Sequence, residues 1–320
     1  MRRVLGVLAA LGLTAGIGQA QAVRVDPSIP AYQKASGVSG NITSVGSDTM
    51  NNMMALWAET FRKMYPNVKI QIEGKGSSTA PPALIAGTSQ FGPMSRAMRS
   101  TEIDQFEAKY GYKPTQLRTS YDALAVYVNK DNPLEKLTLA QVDAAFSKTR
   151  RRGGKNAATW GDFGLTGDWA SRPISLYGRN SASGTYGFFK EHTLAKGDYK
   201  DTVKEQPGSA SVVQGVTEDK FGIGYSGIGY RTSGVRALPL GTKVGDTPYE
   251  ANYENALNRS YPLSRYLYIY VVRDPRQPMD PLTCEFLRYV LSKEGQEGVI
   301  KDGYLPLPPS VVSQELAKLD

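Results

Sequence analysis

Three segments share one chemical design: Gly46-Ser47-Asp48-Thr49, Gly76-Ser77-Ser78-Thr79, and Gly178-Arg179-Asn180-Ser181-Ala182-Ser183-Gly184-Thr185. Each gathers glycine and hydroxyl side chains between an apolar stretch and the start of a helical pattern. Such a loop presents free backbone N–H groups, hydroxyl donors and the positive end of a helix dipole. These groups suit a bound oxyanion, phosphate above all. Glycine lets the backbone come close to the ligand. Arg179 is the strong cation within the three loops, and its planar fork can hold two oxygens of a tetrahedral anion. Taken singly, a loop of this kind is no more than a capped helix. Three in one chain, one of them with arginine, point to a shared anion. Pro93-Met94-Ser95-Arg96 adds a further polar turn.

Other chemistry is poorly supplied. The chain of 320 residues has one His and one Cys, His192 and Cys284. That excludes a multi-His zinc site, a cysteine metal cluster and an intrachain disulfide. Gly222-Ile223-Gly224-Tyr225-Ser226-Gly227 matches G-x-G-x-x-G, but no clear helix follows it, so a glycine-rich strand and turn is expected. There is no P-loop and no G-x-S-x-G elbow. Asp162 and Asp168 have no metal-loop spacing. The site therefore needs no cofactor and no metal, and no enzyme activity is expected.

The loops require an alternation of strands and helices to hold them. Ile42–Val45 reads as a strand before the first loop. Met50, Met53, Met54, Trp57, Phe61 and Met64 fall at helical spacing, giving a helix over Thr49–Tyr65. Val68, Ile70 and Ile72 alternate with polar residues, as in a strand. Ile174–Tyr177 opens a second cycle before the Arg179 loop, with a helix over Tyr186–Leu194. Ala123–Val128 and Tyr266–Val272 are long apolar strands. This is an α/β fold with mostly parallel sheets. The run Arg150-Arg151-Arg152 is expected to be a solvated loop. At the N-terminus, Arg2-Arg3, the apolar run Val4–Ile17 and Ala20-Gln21-Ala22 form a secretory signal pattern, cleaved near Ala22. A cysteine-poor exported chain points to a periplasm. The net charge of +8 is dispersed, and no nucleic-acid partner is expected.

The order and spacing of Gly46–Met50, Gly76–Ser78, Ser95-Arg96 and Arg179 with Ser183-Gly184-Thr185 resemble the periplasmic phosphate-binding proteins of the phosphate ABC transporter, the PstS family. The resemblance covers most of the chain beyond the signal. It implies a two-lobed type II periplasmic-binding-protein (Venus flytrap) fold with mixed, mostly parallel sheets and a two-strand hinge. One lobe would be residues 23–124 with about 266–320, the other 125–265, with Leu124–Asn129 and Tyr266–Val272 as the hinge strands. It further implies a monomer that captures inorganic phosphate between its lobes and delivers it to a membrane permease. Carried over by position, the phosphate-binding set is Ser47, Asp48, Thr49, Met50, Ser77, Ser78, Ser95, Arg96, Arg179, Ser183, Gly184 and Thr185.

One departure bears on specificity. The family often has an aspartate in the third loop, where it accepts a hydrogen bond from the phosphate proton. Here Ser95 stands there, followed by Arg96. Asp48 either supplies that acceptor or is a plain helix cap, and Arg96 either contacts the anion or pairs with a carboxylate. An acceptor-only carboxylate is how such a site rejects sulfate. The missing aspartate therefore leaves sulfate or molybdate as alternative ligands, and an exported phosphatase on the same fold as a remoter one.

Overall fold

The computed structural model describes residues 22–319, so the signal pattern lies outside the described residues except for Ala22. Two five-stranded sheets carry the chain. The first contains β1 (Gly40–Val45), β2 (Val68–Glu73), β3 (Phe91–Met94), β4 (Thr115–Ala123) and β12 (Ser264–Val271), in the order β2-β1-β3-β12-β4. The second contains β5 (Ala125–Asn129), β7 (Ser175–Arg179), β8 (Lys204–Gln206), β9 (Gly222–Ser226) and β10 (Val235–Ala237), in the order β10-β5-β9-β7-β8. A small ladder pairs β6 (Leu137–Thr138) with β11 (Leu240–Gly241).

The two large sheets have the same plan. In the first, β2, β1 and β3 run parallel and β12 lies antiparallel to both β3 and β4. In the second, β8, β7 and β9 run parallel and β5 lies antiparallel to both β9 and β10. β1 and β7 thus occupy matching positions, second from an edge, where the strand order reverses. Ligands of open α/β sheets bind beyond the carboxyl ends of strands at such a point. The Gly46 and Arg179 loops leave from those two ends. The chain passes from the first sheet to the second at Leu124 and returns ahead of Ser264. The crossings are tied together, with Leu124 N donating to Leu263 O at 3.0 Å and Tyr261 Oη donating to Leu124 O at 2.9 Å.

Helices cover the sheets. α1 (Asn51–Met64) buries Met53, Met54, Trp57, Ala58 and Phe61, the stripe expected from sequence. Each large side chain so buried contributes roughly 1.5–3 kcal/mol. Trp57 Nε1 also donates to Gly295 O at 2.8 Å, which satisfies its polar edge inside the core. α2 (Ala80–Ile85) begins with the Pro81-Pro82 pair in its first turn and packs on β3 and α3 (Ser100–Tyr110). α4 (Leu139–Phe146), α5 (Gly184–His192) and α6 (Ser209–Glu218) belong to the second half, where α6 lies on β5, β7 and β9. α7 (Tyr253–Leu257), α8 (Pro281–Val290), α9 (Lys293–Lys301) and α10 (Pro309–Leu316) follow, with α8 and α9 against α1.

The basic run does more than face water. Arg152 donates from Nε to Thr193 O and from Nη2 to His192 O, both at 2.6 Å. It therefore caps the C-terminal carbonyls of α5, where a cation also suits the helix dipole. The G-x-G-x-x-G match is β9 and its turn, as expected.

Candidate functional site

Each glycine–hydroxyl loop ends in a helical start. Residues Asp48–Met50 form a single 3-10 turn leading into α1, and Ser77–Thr79 form another leading into α2. Gly76 introduces the second turn with φ 115°, a conformation that L side chains rarely adopt. Ser183 caps α5, its Oγ accepting from Thr185 N at 3.1 Å and Tyr186 N at 3.4 Å. With its oxygen so used, the Ser183 hydroxyl still has its proton to donate.

The loops of the two sheets meet directly. Thr49 Oγ1 lies 2.9 Å from Thr185 Oγ1, and Ser78 N donates to Ala182 O at 3.0 Å. Ser77 Oγ accepts from Ser95 N at 3.0 Å and lies 3.2 Å from Ser95 Oγ. Gly184 sits against this pair: a Cβ built on it would overlap Ser77 Oγ and lie 2.6 Å from Ser95 Oγ. A Cβ on Gly76 would lie 2.5 Å from Ala182 O. Glycine is required at both places because the facing loops leave no room for a side chain. Thr49, Ser77, Ser95, Ser183, Gly184 and Thr185, expected from sequence to share a site, are thus brought together.

Arg179 ends β7 and is 1% exposed. Its Nη1 donates to Ser209 Oγ at 2.6 Å and lies 3.1 Å from Asp48 Oδ2, while Nη2 donates to Pro207 O at 3.1 Å. Its Nε has no hydrogen-bond partner, and neither does buried Ser47 Oγ. Burial pulls the Arg179 guanidinium below its ordinary value, a shift that Asp48 opposes and Arg265 reinforces.

Asp48 is not the cap of its own turn. Ser47 occupies that position, and Asp48 Oδ2 instead accepts from Ser209 N at 2.7 Å, across to the start of α6. Its backbone carbonyl accepts from Tyr230 Oη at 3.0 Å. One acidic residue therefore joins the first loop to the second sheet's elements through three partners. Arg96 forms a two-pronged pair with Glu102, Nη1 to Oε2 and Nη2 to Oε1, both at 2.7 Å. Of its two alternatives, carboxylate pairing is what the geometry shows. Nη2 also reaches Ser78 Oγ at 3.3 Å. Met50 contributes its side chain to the core, and its amide donates to Ser47 O at 3.3 Å within the turn.

Sequence reasoning missed Arg265 and Asp122. Arg265, at the start of β12, donates from Nε and Nη2 to Asp122 Oδ2 at 2.8 and 2.7 Å, and from Nη1 to Ser95 O at 2.8 Å. Its Nη2 also reaches Thr185 Oγ1 at 3.0 Å. A charged residue leading an otherwise apolar strand was the one available signal. A cavity of about 890 Å³ lies beside this cluster, lined in part by Arg96, Phe188, His192 and Arg265. It flanks the convergent hydroxyls and does not contain them. His192 packs its ring on Phe188 with centroids 4.2 Å apart, and burial lowers its pKa. Its ring is placed for packing.

Comparison with known proteins bears on the fold and the family. Residues 31–294 match the PBP superfamily domain. The chain is 58% identical over 309 residues to the phosphate-binding protein PstS of Pseudomonas aeruginosa, covering 96% of each. It is 30% identical over 286 residues to the phosphate-binding protein PstS of Staphylococcus epidermidis, covering 88% of this chain and 83% of that one. Among solved structures, a putative phosphate ABC transporter substrate-binding protein with bound phosphate from Clostridium perfringens superposes with TM-score 0.70 at 25% identity, covering 84% of this chain and all of that one. An ABC-type phosphate transport receptor from Vibrio cholerae shares the fold at TM-score 0.64 and 21% identity, covering 84% of this chain and 100% of that one. The doubled sheet plan with its facing loops is therefore that of a type II periplasmic binding protein, and the chain belongs to the PBP superfamily and, within it, to the PstS family.

Proposed function

We propose that the protein is an exported receptor that captures inorganic phosphate between two lobes and delivers it to the membrane permease of an ABC importer. It acts by binding, with no chemical turnover. The observation that carries this is a buried guanidinium, Arg179, held between Asp48 of the first loop and Ser209, with its Nε and the Ser47 hydroxyl left without partners. Buried donors of this kind are costly unless an acceptor meets them, and a tetrahedral oxyanion offers several acceptors at once.

The phosphate-binding set is Ser47, Asp48, Thr49, the Met50 amide, Ser77, Ser78, Ser95, Arg179, Ser183, Gly184 and Thr185, with Arg96 at its edge through Ser78. The lobes are residues 23–124 with the C-terminal stretch, and the segment between them; the boundary expected near 266 moves to just ahead of Ser264, because β12 begins there and pairs with β4 of the first sheet. The strands expected to form the hinge, Leu124–Asn129 and Tyr266–Val272, lie within the second and first sheets as β5 and β12, so the hinge is instead the pair of crossings that lead into them, which the Leu124–Leu263 hydrogen bond supports. Closure removes water from the anion, and hydrogen bonds to the buried charge then strengthen. The permease recognises the closed form. The Arg2-Arg3 start, apolar run and Ala20-Gln21-Ala22 support export to the periplasm with cleavage near Ala22. We take the receptor to act as a monomer.

The second reading is another tetrahedral oxyanion, and it rests on Ser95 standing where the family often has aspartate. Asp48 answers it: its carboxylate only accepts, so it can take the proton of phosphate and repel sulfate, which has none. Calorimetric titration of the chain lacking its signal separates the readings. Phosphate is expected to bind one to one, with sulfate competing weakly at neutral pH. Sulfate binding as tight as phosphate binding would move the assignment to sulfate and remove Asp48 from its role as proton acceptor.

A further inference from the structure

Arg265 belongs to β12 of the first sheet, and its side chain is 3% exposed. Asp122, on neighbouring β4, holds it through two hydrogen bonds to one oxygen, while the other carboxylate oxygen accepts from Ile228 N at 3.0 Å. The guanidinium is therefore fixed in place by a buried carboxylate that is itself held. From there it reaches α5 of the second half twice. Nη2 donates to Thr185 Oγ1 at 3.0 Å, and the guanidinium carbon lies 5.2 Å from the centre of the Phe188 ring.

A guanidinium can only donate. Thr185 Oγ1 is therefore the acceptor in that bond, and its own proton must point elsewhere. A hydroxyl that accepts from a cation becomes a better donor and a poorer acceptor. Thr185 Oγ1 lies 2.9 Å from Thr49 Oγ1, so the bias passes along the pair. Whichever of the two donates to the other, one hydroxyl proton is left to project from the chain. A second device of the same kind lies alongside, since Ser77 Oγ accepts from the Ser95 amide. The Ser95 carbonyl is in turn held by Arg265 Nη1 at 2.8 Å.

We propose that Arg265 is a positioning residue for anion recognition: clamped by Asp122, it biases the Thr185–Thr49 hydroxyl pair so that the one proton the pair leaves free is donated to an unprotonated oxygen of the ligand. The ligand's own proton is then left to Asp48. This rests on the phosphate reading above and deepens it, assigning to one guanidinium outside the glycine–hydroxyl loops the polarity of the hydroxyls inside them.

A double-mutant cycle tests this, read by phosphate titration together with the thermal midpoint of each variant. Arg265→Met is combined with Asp122→Asn so that no buried charge is left unpaired. Thr185→Val is then made in both the wild-type and the Arg265→Met/Asp122→Asn background. Thr185→Val is expected to weaken phosphate binding at least about tenfold in the wild type but less than about threefold in the altered background, because an unpolarised hydroxyl is the weaker donor. A merely structural Arg265 would lower the midpoint and leave the two Thr185→Val effects equal, and that equality would overturn the proposal. If the background variant does not fold, the cycle is run with Arg265→Lys, which keeps the charge against Asp122 but cannot serve Asp122, Ser95 and Thr185 with one planar fork. The expectation and the overturning result are unchanged. Failure of the wild-type protein to bind phosphate at all would overturn the functional reading and this inference together. Wild-type binding with additive variants would overturn this inference alone.

Discussion

Arg179 and Asp48 set the residue scale. The arginine supplies charge-assisted bonds worth roughly 1.5–3 kcal/mol each, and each 1.4 kcal/mol is a factor of ten in affinity. Arg179→Ala is expected to weaken phosphate binding at least about tenfold in a titration, and Arg179→Lys to recover little of the loss, since an ammonium lacks the planar fork. A second residue-scale expectation concerns Asp302, whose carboxyl is raised by burial to about 7, with Oδ2 lacking a partner. The folded state then holds this proton more tightly than the unfolded chain does. Stability from this group is full below about pH 4, is lost as pH rises toward about 7, and stays lost above it. Asp302→Asn should raise the thermal midpoint by a few degrees at pH 8 and leave it nearly unchanged at pH 4. A shift of equal size at both pH values would contradict this. The residues that sequence reasoning found were those in local motifs, where glycine and hydroxyls sit side by side. Arg265 and Asp122 escaped because they are 143 positions apart and meet only through the strand pairing of β12 with β4. Arg96 was ambiguous for the same reason. Its partner Glu102 lies in the next helix, and Ser95-Arg96 alone fits a ligand contact equally well.

At the scale of elements, the strands, helix starts and central stripe of α1 were legible because they rest on periodicity and capping chemistry. The shared plan of the two sheets was not. Its parallel strands are short, their sequences differ, and the likeness lies in order and direction, which no residue pattern records. The closeness of the facing loops was equally hidden. Gly184 shows what it implies. As the first residue of α5, alanine there should favour the helix by roughly 1 kcal/mol over glycine. Yet its Cβ would press into Ser77 and Ser95 of the opposite loop. Overpacking of this kind costs roughly 1–3 kcal/mol and cancels or outweighs that gain, so Gly184→Ala is expected to bring no rise in the thermal midpoint and to weaken phosphate binding more than about tenfold. Unchanged affinity would show that the loops do not need this approach to hold the anion.

For the whole molecule, the charge balance is informative. Three arginines stand at or beside the site, and each has a carboxylate: Arg179 with Asp48, Arg96 with Glu102, Arg265 with Asp122. The anion is therefore held by directed donors in a region whose formal charges cancel. The dispersed net charge of +8 adds only a weak, screened attraction. Raising sodium chloride from about 0.05 to about 0.5 M is expected to weaken phosphate binding by no more than about threefold, measured by equilibrium dialysis. A loss of a hundredfold would mean that long-range charge, not the donor set, carries the affinity.

The place of β12 has a further consequence, in the order of assembly. It lies between β3 and β4, yet it is the last strand of the chain to be made. A nascent chain that ends near residue 250 already holds every strand of the second sheet, but in the first sheet β4 has no neighbour to pair with. It also lacks Arg265, so Asp122 has no countercharge. The half that contains the N-terminus cannot finish folding until the final quarter has been synthesised. The position of one strand thus sets how late in its synthesis the chain can mature.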